Sequence, residues 1–469
     1  MQRVQILLLA SLASLGAYAQ SAGLTGTITD PTGLPVPGAP VIVRNEGTNI
    51  VRQTTTSESG DYTVPGLDPG SYSVRVSKPG FETLQRDGIR LFVATMARVD
   101  LQLPVGNQMQ TVTVSADAGI LQEDNAQLAT SVSREQYDNL PLVQMGRIRS
   151  PTAFVYLAPG VHGNLNATGS ENLAATNYVS VNGSQMKATE FYLSGLSSGQ
   201  MANVGSYNES APPVDAIQEF KMMTTMVPAD YGHTGAAAGI FAVRNGTNAL
   251  HGSVYEYLRN DALDAKPWGS TLSPVTRLNE FGATIGGPIK KDRTFFFFSY
   301  GGSRKRGYDT QVYQQIPTLE ERQGDFASSG RKIYDPATTR LNAAGTGYIR
   351  DQFVGNTIPA SRLESKAKVL ASLYPVPNLV GTKNWRALTG EKVLDPDVYT
   401  TRVDHNINDT QRLYGTLVQT RVPRFKPEGS GLPDPLSTVF NQFLRATTTR
   451  LNHDWTVSSN KMNSLALGY

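Results

Sequence analysis

Short runs of alternating apolar and polar residues dominate the chain. Between residues 23 and 104 the runs are separated, at about ten-residue spacing, by turn sequences such as Asp-Pro-Thr-Gly at 30–33. In one run Tyr72, Val74 and Val76 share a face that is opposite to serines and an arginine. This pattern predicts half-buried antiparallel strands, and the region is expected to form a small β-sandwich of about seven strands.

A second set of alternating runs lies beyond residue 250 and carries aromatic residues. At 280–289 Phe281 and Ile285 face one way, whereas Glu280 and Thr284 face the other. The run at 451–458 alternates Leu451, His453, Trp455 and Val457 with polar residues in the same way. This is the pattern of a strand with lipid on one side and a polar lumen on the other.

Four consecutive phenylalanines at 295–298 have two interpretations. A soluble strand would bury them in a sandwich core, whereas a membrane barrel would place them in an aromatic girdle at the interface.

The first residues read as a secretory signal peptide. Arg3 precedes an apolar stretch, and Ala17-Tyr18-Ala19 forms a cleavage pattern before Gln20. The rest of the sequence contains no apolar run of about 20 residues. Membrane insertion, if it occurs, is therefore expected through a β-barrel.

The stretch from about 118 to 248 is expected to be a compact mixed α/β domain. Ser133 and Gln136 have capping-box spacing, and Pro151 opens a second candidate helix that the Pro-Gly pair at 159–160 closes.

Between the sandwich and this domain lies a short uncharged run rich in β-branched residues. As an extended segment it is suited to pairing with the sheet edge of another protein, although a plain linker strand is an equal interpretation. The run comprises Gln110, Thr111, Val112, Thr113, Val114, Ser115 and Ala116.

Composition removes several function classes. The chain of 469 residues has 42 Lys or Arg and 39 Asp or Glu, and a net charge of +3 disfavours a dedicated nucleic-acid binder. The absence of cysteine excludes disulfides, thiolate metal sites and thiol nucleophiles.

Enzyme motifs are weak. Residues 195–199 match G-x-S-x-G with Ser197 at its centre, but a mobile loop is the better interpretation because no helix-forming sequence follows. None of the five histidines has zinc-site spacing. Asp395, Asp397 and Asp404 are calcium candidates that more often form solvated turns. We therefore predict no enzymatic activity, no metal and no cofactor.

Two resemblances sharpen this picture. "GTITDPTGLPVPGAPVIV" (26–43) and the block at 54–82 resemble carboxypeptidase-regulatory-like domains, which are transthyretin-like accessory modules often grouped with carbohydrate-binding folds. "PPVDAIQEFKMMTTMVPADYGHTGAAAGIFAVRNGTNALHGSVYEYLRNDALDAKPW" (212–268) and "RLNEFGATIGGPIKKDRTFFFFSYGGSRKR" (277–306) resemble Oar-like TonB-dependent transporters of the bacterial outer membrane. Further blocks agree in the same order, including "LPLVQMGR", "IPTLEERQGDF" and "RVDHNINDTQRLYG".

The resemblance implies an outer-membrane barrel that encloses a plug domain. It implies a signal peptide (1–19), a sandwich (20–104), a linker (105–117) that resembles a TonB box, a plug (118–248) and the first part of the barrel (249–469). The fold class is then mainly β, with a mixed α/β plug and a partial transmembrane barrel. The implied partners are TonB, outer-membrane lipid and a substrate such as a carbohydrate or peptide, with no nucleic acid.

The sequence departs from the family in two ways. Leu193-Ser194-Gly195 stands where the family usually has Leu-Asp-Gly, which puts in doubt any plug contact that needs the aspartate charge. A barrel of about 22 strands of about ten residues would need all of the sequence after residue 250, and the stretch 314–392 is predicted to be mostly loop, so a complete barrel does not fit. We therefore expect a truncated chain.

Other functions remain open at this stage. The main alternative is a secreted or surface carbohydrate-binding protein that has no transport activity, and a periplasmic hydrolase that uses Ser197 is a third.

Overall fold

The structure is a computed structural model that describes most of the chain. The described residues are 22–106, 111–115, 127–139, 149, 151–163, 179–186, 188–198, 211–232, 234–265, 268, 275–308, 311–388, 393–428, 432–433, 435–436, 438–458 and 461–469. The predicted signal peptide lies outside them. No helix in these residues is long and apolar enough to cross a membrane.

The N-terminal region is a two-sheet sandwich, as the alternation predicted. One sheet has the order β4-β1-β7, with β8 also paired to β1, and the other has the order β3-β2-β5-β6. The alternating apolar side chains fill the space between the sheets, where Val41, Tyr72, Val74 and Val76 are buried. The strands are β1 (Ala22–Thr29), β2 (Pro40–Asn45), β3 (Val51–Thr55), β4 (Asp61–Leu67), β5 (Gly70–Val76), β6 (Thr83–Leu91), β7 (Met96–Arg98) and β8 (Leu101–Gln102). A further strand, β9 (Thr111–Ser115), extends the second sheet.

The central region is built on a five-stranded mixed sheet of order β10-β15-β16-β13-β14. Its core is aromatic, and the rings of Phe220 and Phe241 stack at 4.7 Å. Its elements are β10 (Ala129–Ser133), α1 (Arg134–Asn139), a 3-10 helix (Pro151–Leu157), β11 (Val161–Gly163), β12 (Val179–Val181), β13 (Thr189–Leu193), β14 (Leu196–Ser197), a 3-10 helix (Val214–Ala216), β15 (Ile217–Met223) and β16 (Ala237–Val243).

Both predicted helix starts are present, although the helices are short. The backbone N–H of Ser133 donates to Gln136 Oε1 at 2.9 Å, which is one half of a capping box. The second candidate is a 3-10 helix, which ends before Gly160 at φ +78°.

The C-terminal region is an antiparallel sheet that runs β17-β18-β19, then β24 and β25, then β26-β27-β28. β17 and β28 do not pair with each other in the described part of the chain, so the sheet is open. The elements are β17 (His251–Asn260), a 3-10 helix (Asp261–Leu263), β18 (Val275–Lys290), β19 (Thr294–Tyr308), β20 (Gln311–Gln314), α2 (Leu319–Arg322), a 3-10 helix (Pro336–Thr338), β21 (Arg340–Leu341), β22 (Tyr348–Ile349), 3-10 helices (Val354–Asn356 and Ala360–Arg362), α3 (Ser365–Ser372), β23 (Trp385–Leu388), β24 (Val393–Leu394), β25 (Asp397–Asn406), β26 (Gln411–Glu428), β27 (Thr438–Ser458) and β28 (Lys461–Gly468).

Burial in this sheet is inverted relative to a water-soluble protein. On β18 Glu280 and Thr284 are 3% and 6% exposed, whereas Ile285 is 43% exposed. The same two faces extend across the sheet from β17 to β28. Its buried polar residues include Ser299, Ser303, Thr400, Asp404, Asn406, Thr416, Thr420, Asn452 and Asp454. Its exposed apolar residues include Val254, Leu258, Phe298, Val403, Leu413, Leu451, Trp455, Val457, Leu465 and Leu467. An apolar outer face opposite a polar inner face is the arrangement of a membrane barrel wall.

The four phenylalanines divide between the two faces of the sheet, which neither interpretation of the run expected. Phe295 and Phe297 are fully buried on the inner face, and Phe297 joins the core of the central domain. Phe298 is 37% exposed on the outer face. The run divides because side chains alternate between faces along any strand, whatever the residue type.

The connections differ in length at the two ends of the sheet. Two short turns, at 291–293 and 407–410, lie at one end, where β27 also ends and β28 begins. The longer connections lie at the other end, and the longest of them, between β19 and β24, has its own structure: β20 pairs with β23, β21 pairs with β22, and α2 begins in a capping box of Thr318 and Glu321. This part of the segment predicted as mostly loop is therefore folded.

Candidate functional site

The segment predicted to resemble a TonB box lies on the edge of the sandwich. β9 pairs in parallel with β6, in a register that runs from Thr83 opposite Thr111 to Asp87 opposite Ser115. Val112 is 36% exposed and Thr113 is also exposed. Gln110 and Ala116, the ends of the predicted segment, lie outside the described residues. The sequence suggested an isolated segment, whereas the structure shows a strand that is attached to one neighbour.

The second edge of β9 is unpaired within the described residues, because the sheet order ends there. A strand edge with unused N–H and C=O groups is a template for a further strand. The geometry of β9 therefore suits main-chain recognition by an extended partner.

The central domain contacts the C-terminal sheet (β17 to β28, the barrel sheet) through Arg149, which binds its polar face. Its Nε donates to Glu280 Oε1 on β18 at 2.9 Å, and its Nη2 donates to Asp215 Oδ2 at 2.7 Å. The guanidinium also lies 4.0 Å from the centre of the Tyr257 ring on β17. Arg134 approaches the same Asp215 at 3.2 Å. Sequence analysis did not identify this cluster, since the residues are far apart along the chain, although a lone glutamate on a strand pattern was a signal.

A second buried ionic cluster joins the sandwich to the barrel sheet. Arg412 on β26 bridges Asp68 of the sandwich at 2.7 Å and Asp404 on β25 at 2.9 Å. Arg402 also binds Asp404, at 2.8 Å. The side chains of the two arginines and of Asp404 are at most 8% exposed. Asp404, which the sequence marked as a calcium candidate, is thus occupied by two guanidinium groups.

The sandwich also docks on the central sheet through the turn that follows β6. Lys221 Nζ on β15 donates to the Ala94 carbonyl at 2.7 Å and to Thr95 Oγ1 at 3.0 Å. The Val93 N–H donates to Glu219 Oε2 at 3.0 Å. The Val93 side chain is fully buried in an apolar cluster with residues of the central sheet: Tyr192, Met223, Tyr231, Ala238, Ile240 and Ala242.

Burial shifts the pKa values of Glu219 and Lys221 at this contact. Loss of hydration raises the pKa of Glu219 to about 8. The same cause lowers the pKa of Lys221 to about 8. Glu219 Oε1 has no hydrogen-bond partner among the described residues, so the negative charge of an ionised carboxylate would be poorly compensated here.

The candidate hydrolase motif has the wrong local structure. β13 and β14 form a tight antiparallel hairpin through Ser194 at φ +50° and Gly195 at φ +85°. A nucleophile elbow needs a strand that enters a helix. The Ser197 carbonyl accepts a hydrogen bond from Arg450 on β27 at 2.9 Å. Residues 195–197 of the motif therefore belong to a structural hairpin, where the composition suggested a mobile loop, and Gly199 lies outside the described residues.

The unusual Ser194 makes its own contact with the barrel sheet. It is 3% exposed, and its hydroxyl donates to Thr416 Oγ1 on β26 at 3.3 Å. A neutral hydrogen bond is thus present at the position where the family usually has an aspartate.

The remaining calcium candidates are ion-paired. Asp395 binds Arg306 at 2.6 Å, and Asp397 binds Arg304 at 2.9 Å. Within the described ranges no three His, Cys, Asp or Glu side chains group as a metal site would require.

A cavity of about 420 Å³ lies in the folded connection between β19 and β24. Its lining is mostly apolar, with Ile316, Phe326 and Ile333, and it also includes Arg331 and Lys368.

Comparison with known proteins identifies related chains. Residues 242–469 match the family described as outer membrane beta barrel domain, and residues 23–104 match the carboxypeptidase regulatory-like domain. The TonB-dependent transporter Oar of Myxococcus xanthus is 25% identical over 458 residues, which cover 93% of this chain and 38% of that protein. This chain thus spans well under half the length of that relative.

Two solved structures from Escherichia coli are similar in part. The outer membrane transporter YddB aligns over 72% of this chain and 38% of its own, with 12% identity and a TM-score of 0.42. The ferric-catecholate import receptor Fiu aligns over 74% and 49%, with 12% identity and a TM-score of 0.34.

Proposed function

We propose that this chain, which is homologous to the Oar-like TonB-dependent transporters and lies in the outer membrane, carries a substrate across that membrane with energy relayed by TonB. In this proposal residues 249–469 form part of the barrel wall, residues 118–248 form the plug, and residues 110–116 engage TonB. The candidate substrate classes are a carbohydrate and a peptide.

The inverted burial of the C-terminal sheet is the observation that carries the proposal. An exposed apolar face is stable only when lipid covers it, and a buried polar face suits a lumen or a plug. The central domain occupies the polar face, to which Arg149 and Ser194 bind. Phe297, Val398, Val418 and Val422 of the sheet also join the apolar core of the central domain, so the contact is both polar and apolar.

The position of the sandwich supports a periplasmic location for β9. Bacterial outer-membrane barrels have short turns on the periplasmic side and long loops outside. The sandwich contacts the short-turn end, where Arg52 Nη1 donates to the Asp409 carbonyl at 2.5 Å and the Asn248 N–H donates to the Gly47 carbonyl at 2.9 Å. β9 belongs to the same sandwich and therefore lies on the side from which TonB, anchored in the inner membrane, approaches.

The alternative of a soluble carbohydrate-binding protein is less consistent with this geometry. Val254, Ile285, Leu451 and Trp455 would all face water in that case. An apolar surface of this extent is not typical of soluble monomers.

The test uses the intact gene product in outer membranes and a purified periplasmic domain of TonB as the probe. Thr113→Pro removes one main-chain donor from β9, and Thr113→Val is its matched control with the donor retained. We expect Thr113→Pro and the deletion of residues 110–116 to lower TonB affinity by at least about tenfold, with outer-membrane insertion unchanged. Unchanged affinity after the deletion would show that this segment is not the TonB contact.

A further inference from the structure

One strand of the sandwich links β9 to the central sheet. Residues Thr83 to Asp87 of β6 pair with β9, and the turn directly after β6 is bound to β15. Only a few residues, from Gly88 to Phe92, separate the two contacts along the chain. A single continuous segment therefore contacts both the TonB-box-like strand and the domain that we propose as the plug.

The contact with β15 is buried and is both polar and apolar. It combines three hydrogen bonds from buried groups with a fully buried valine, Val93. Lys221 is itself 1% exposed, so its charge is compensated mainly by the Ala94 carbonyl and the Thr95 hydroxyl. Separation of the two surfaces would break these hydrogen bonds and expose the Val93 side chain to water, which is costly.

The contact with β9 leaves room for a partner. β6 occupies one edge of β9, and the other edge is unpaired within the described part of the sheet. A strand added there would be the sixth of the sheet, and β9 would not have to leave β6.

From these contacts, and on the basis of the proposed function, we propose that the sandwich is the mechanical coupler of the transporter. An extended TonB-type strand adds to the open edge of β9 while β9 stays paired with β6. Force then passes through β6 and the turn at 93–95 to Glu219 and Lys221, and so to β15. The sandwich is thus part of the path by which the plug is moved, and is not only an accessory module.

The first test prevents β9 from leaving β6. Gln85 and Thr113 are direct register partners, and the parallel strand spacing of about 4.8 Å is within disulfide range. Because the natural chain has no cysteine, Gln85→Cys with Thr113→Cys creates a single possible intramolecular disulfide. Each single variant is a control, and mass spectrometry verifies the bond in the intact gene product.

Binding of a purified TonB periplasmic domain is measured with the disulfide formed and after reduction. We expect the two affinities to agree within about threefold. A loss of about tenfold or more that reduction restores would overturn the proposal, because β9 would then have to be released. The deletion of residues 110–116 separates the two failures: binding that survives the deletion rejects the proposed function, whereas binding lost on deletion and on locking rejects only the coupler.

The second test weakens the contact between the turn at 93–95 and β15. A TonB domain on a force-microscope tip pulls the membrane-inserted protein, and the force at which the central domain extends is recorded. Lys221→Met should lower that force and leave TonB affinity unchanged, whereas Lys221→Arg should retain most of it. Lys366→Met, at an exposed position on α3, is the matched control. Should a Lys221→Met protein fail to fold, Thr95→Val removes one acceptor from the same contact; equal extension forces in the folded variant and the natural protein overturn the path.

Discussion

The sandwich and the barrel sheet use the same alternation of residues with opposite results. On β5 Tyr72 and Val74 are buried, whereas on β27 Leu451 and Trp455 are exposed and Asp454 is buried. The local pattern specifies a two-faced strand in both regions, but not which face is turned inward. That choice depends on the surroundings, which are water for the sandwich and lipid for the barrel.

The interiors of the two regions are consequently stabilised in different ways. The sandwich interior is apolar and close-packed. The inner face of the barrel sheet carries many polar residues and meets the central domain through charges at Arg149, Asp215 and Glu280 as well as through a smaller apolar contact that includes Phe297. Disruption of each interior should therefore have a different signature.

The largest expected effect is at Arg149. Arg149→Met leaves the buried carboxylates of Asp215 and Glu280 without their main partner, so we expect a loss of about 3–5 kcal/mol in stability. Thermal unfolding in detergent measures it. Adding Glu280→Gln to Arg149→Met should recover part of the loss, and a double variant no more stable than the single one would argue against this ionic contact.

The next largest effect on stability is expected from a charge placed on the outer face of the barrel sheet. Ile285→Arg should cost up to about 2–4 kcal/mol, because the guanidinium would face hydrocarbon, and should reduce outer-membrane insertion. Ser71→Arg, at an exposed position of the sandwich, is the control and should change stability by less than about 0.5 kcal/mol. Membrane fractionation and heat-modifiable gel mobility report insertion, and equal tolerance of both changes would contradict the lipid-facing assignment.

The last expected effect appears only when the pH changes, and it concerns the contact between the sandwich and the central sheet. The pKa of Glu219 is raised to about 8 in the folded protein from an ordinary value near 4.5. Between these values the folded state holds the proton more tightly, so this residue should make stability fall as pH rises from 4.5 to 8.

Glu219→Gln replaces the carboxyl group with an amide that does not ionise. It should therefore flatten the dependence of stability on pH. The variant should therefore gain stability relative to the natural protein as pH rises from 4.5 to 8. Melting temperatures at pH 5 and pH 8 measure this difference. The pKa of Lys221 is lowered from 10.5 to about 8 in the folded protein. Between these values the folded state binds fewer protons, so this residue should make stability rise with pH. A pH dependence that is identical in both proteins would rule out Glu219 as its source.

Much of the fold could be predicted from local sequence, because strand alternation and turn residues are local features. The mainly β fold class and the outer-membrane location are confirmed. The orientation of Ile285 and Trp455 towards the outer face of the sheet was predicted correctly. The division of Phe295 and Phe298 between two faces was missed, because residue type was given more weight than strand periodicity.

The candidate site was harder to predict because its contacts are long-range. β9 pairs with β6 through main-chain groups, which leave little trace in side-chain sequence. Arg149, Asp215 and Glu280 come together only after three chain segments have folded. A hydrophobic pattern shows that Glu280 faces inward, but it does not show which cation it meets.

The paired strands β20 and β23 have a consequence for variation among related chains. They close the base of the long connection, with Gln311 opposite Leu388. The segment between them therefore leaves and returns to this strand pair at a fixed separation. Residues 315–384 can accordingly change in length or sequence without a change in the register of the two strands that close them.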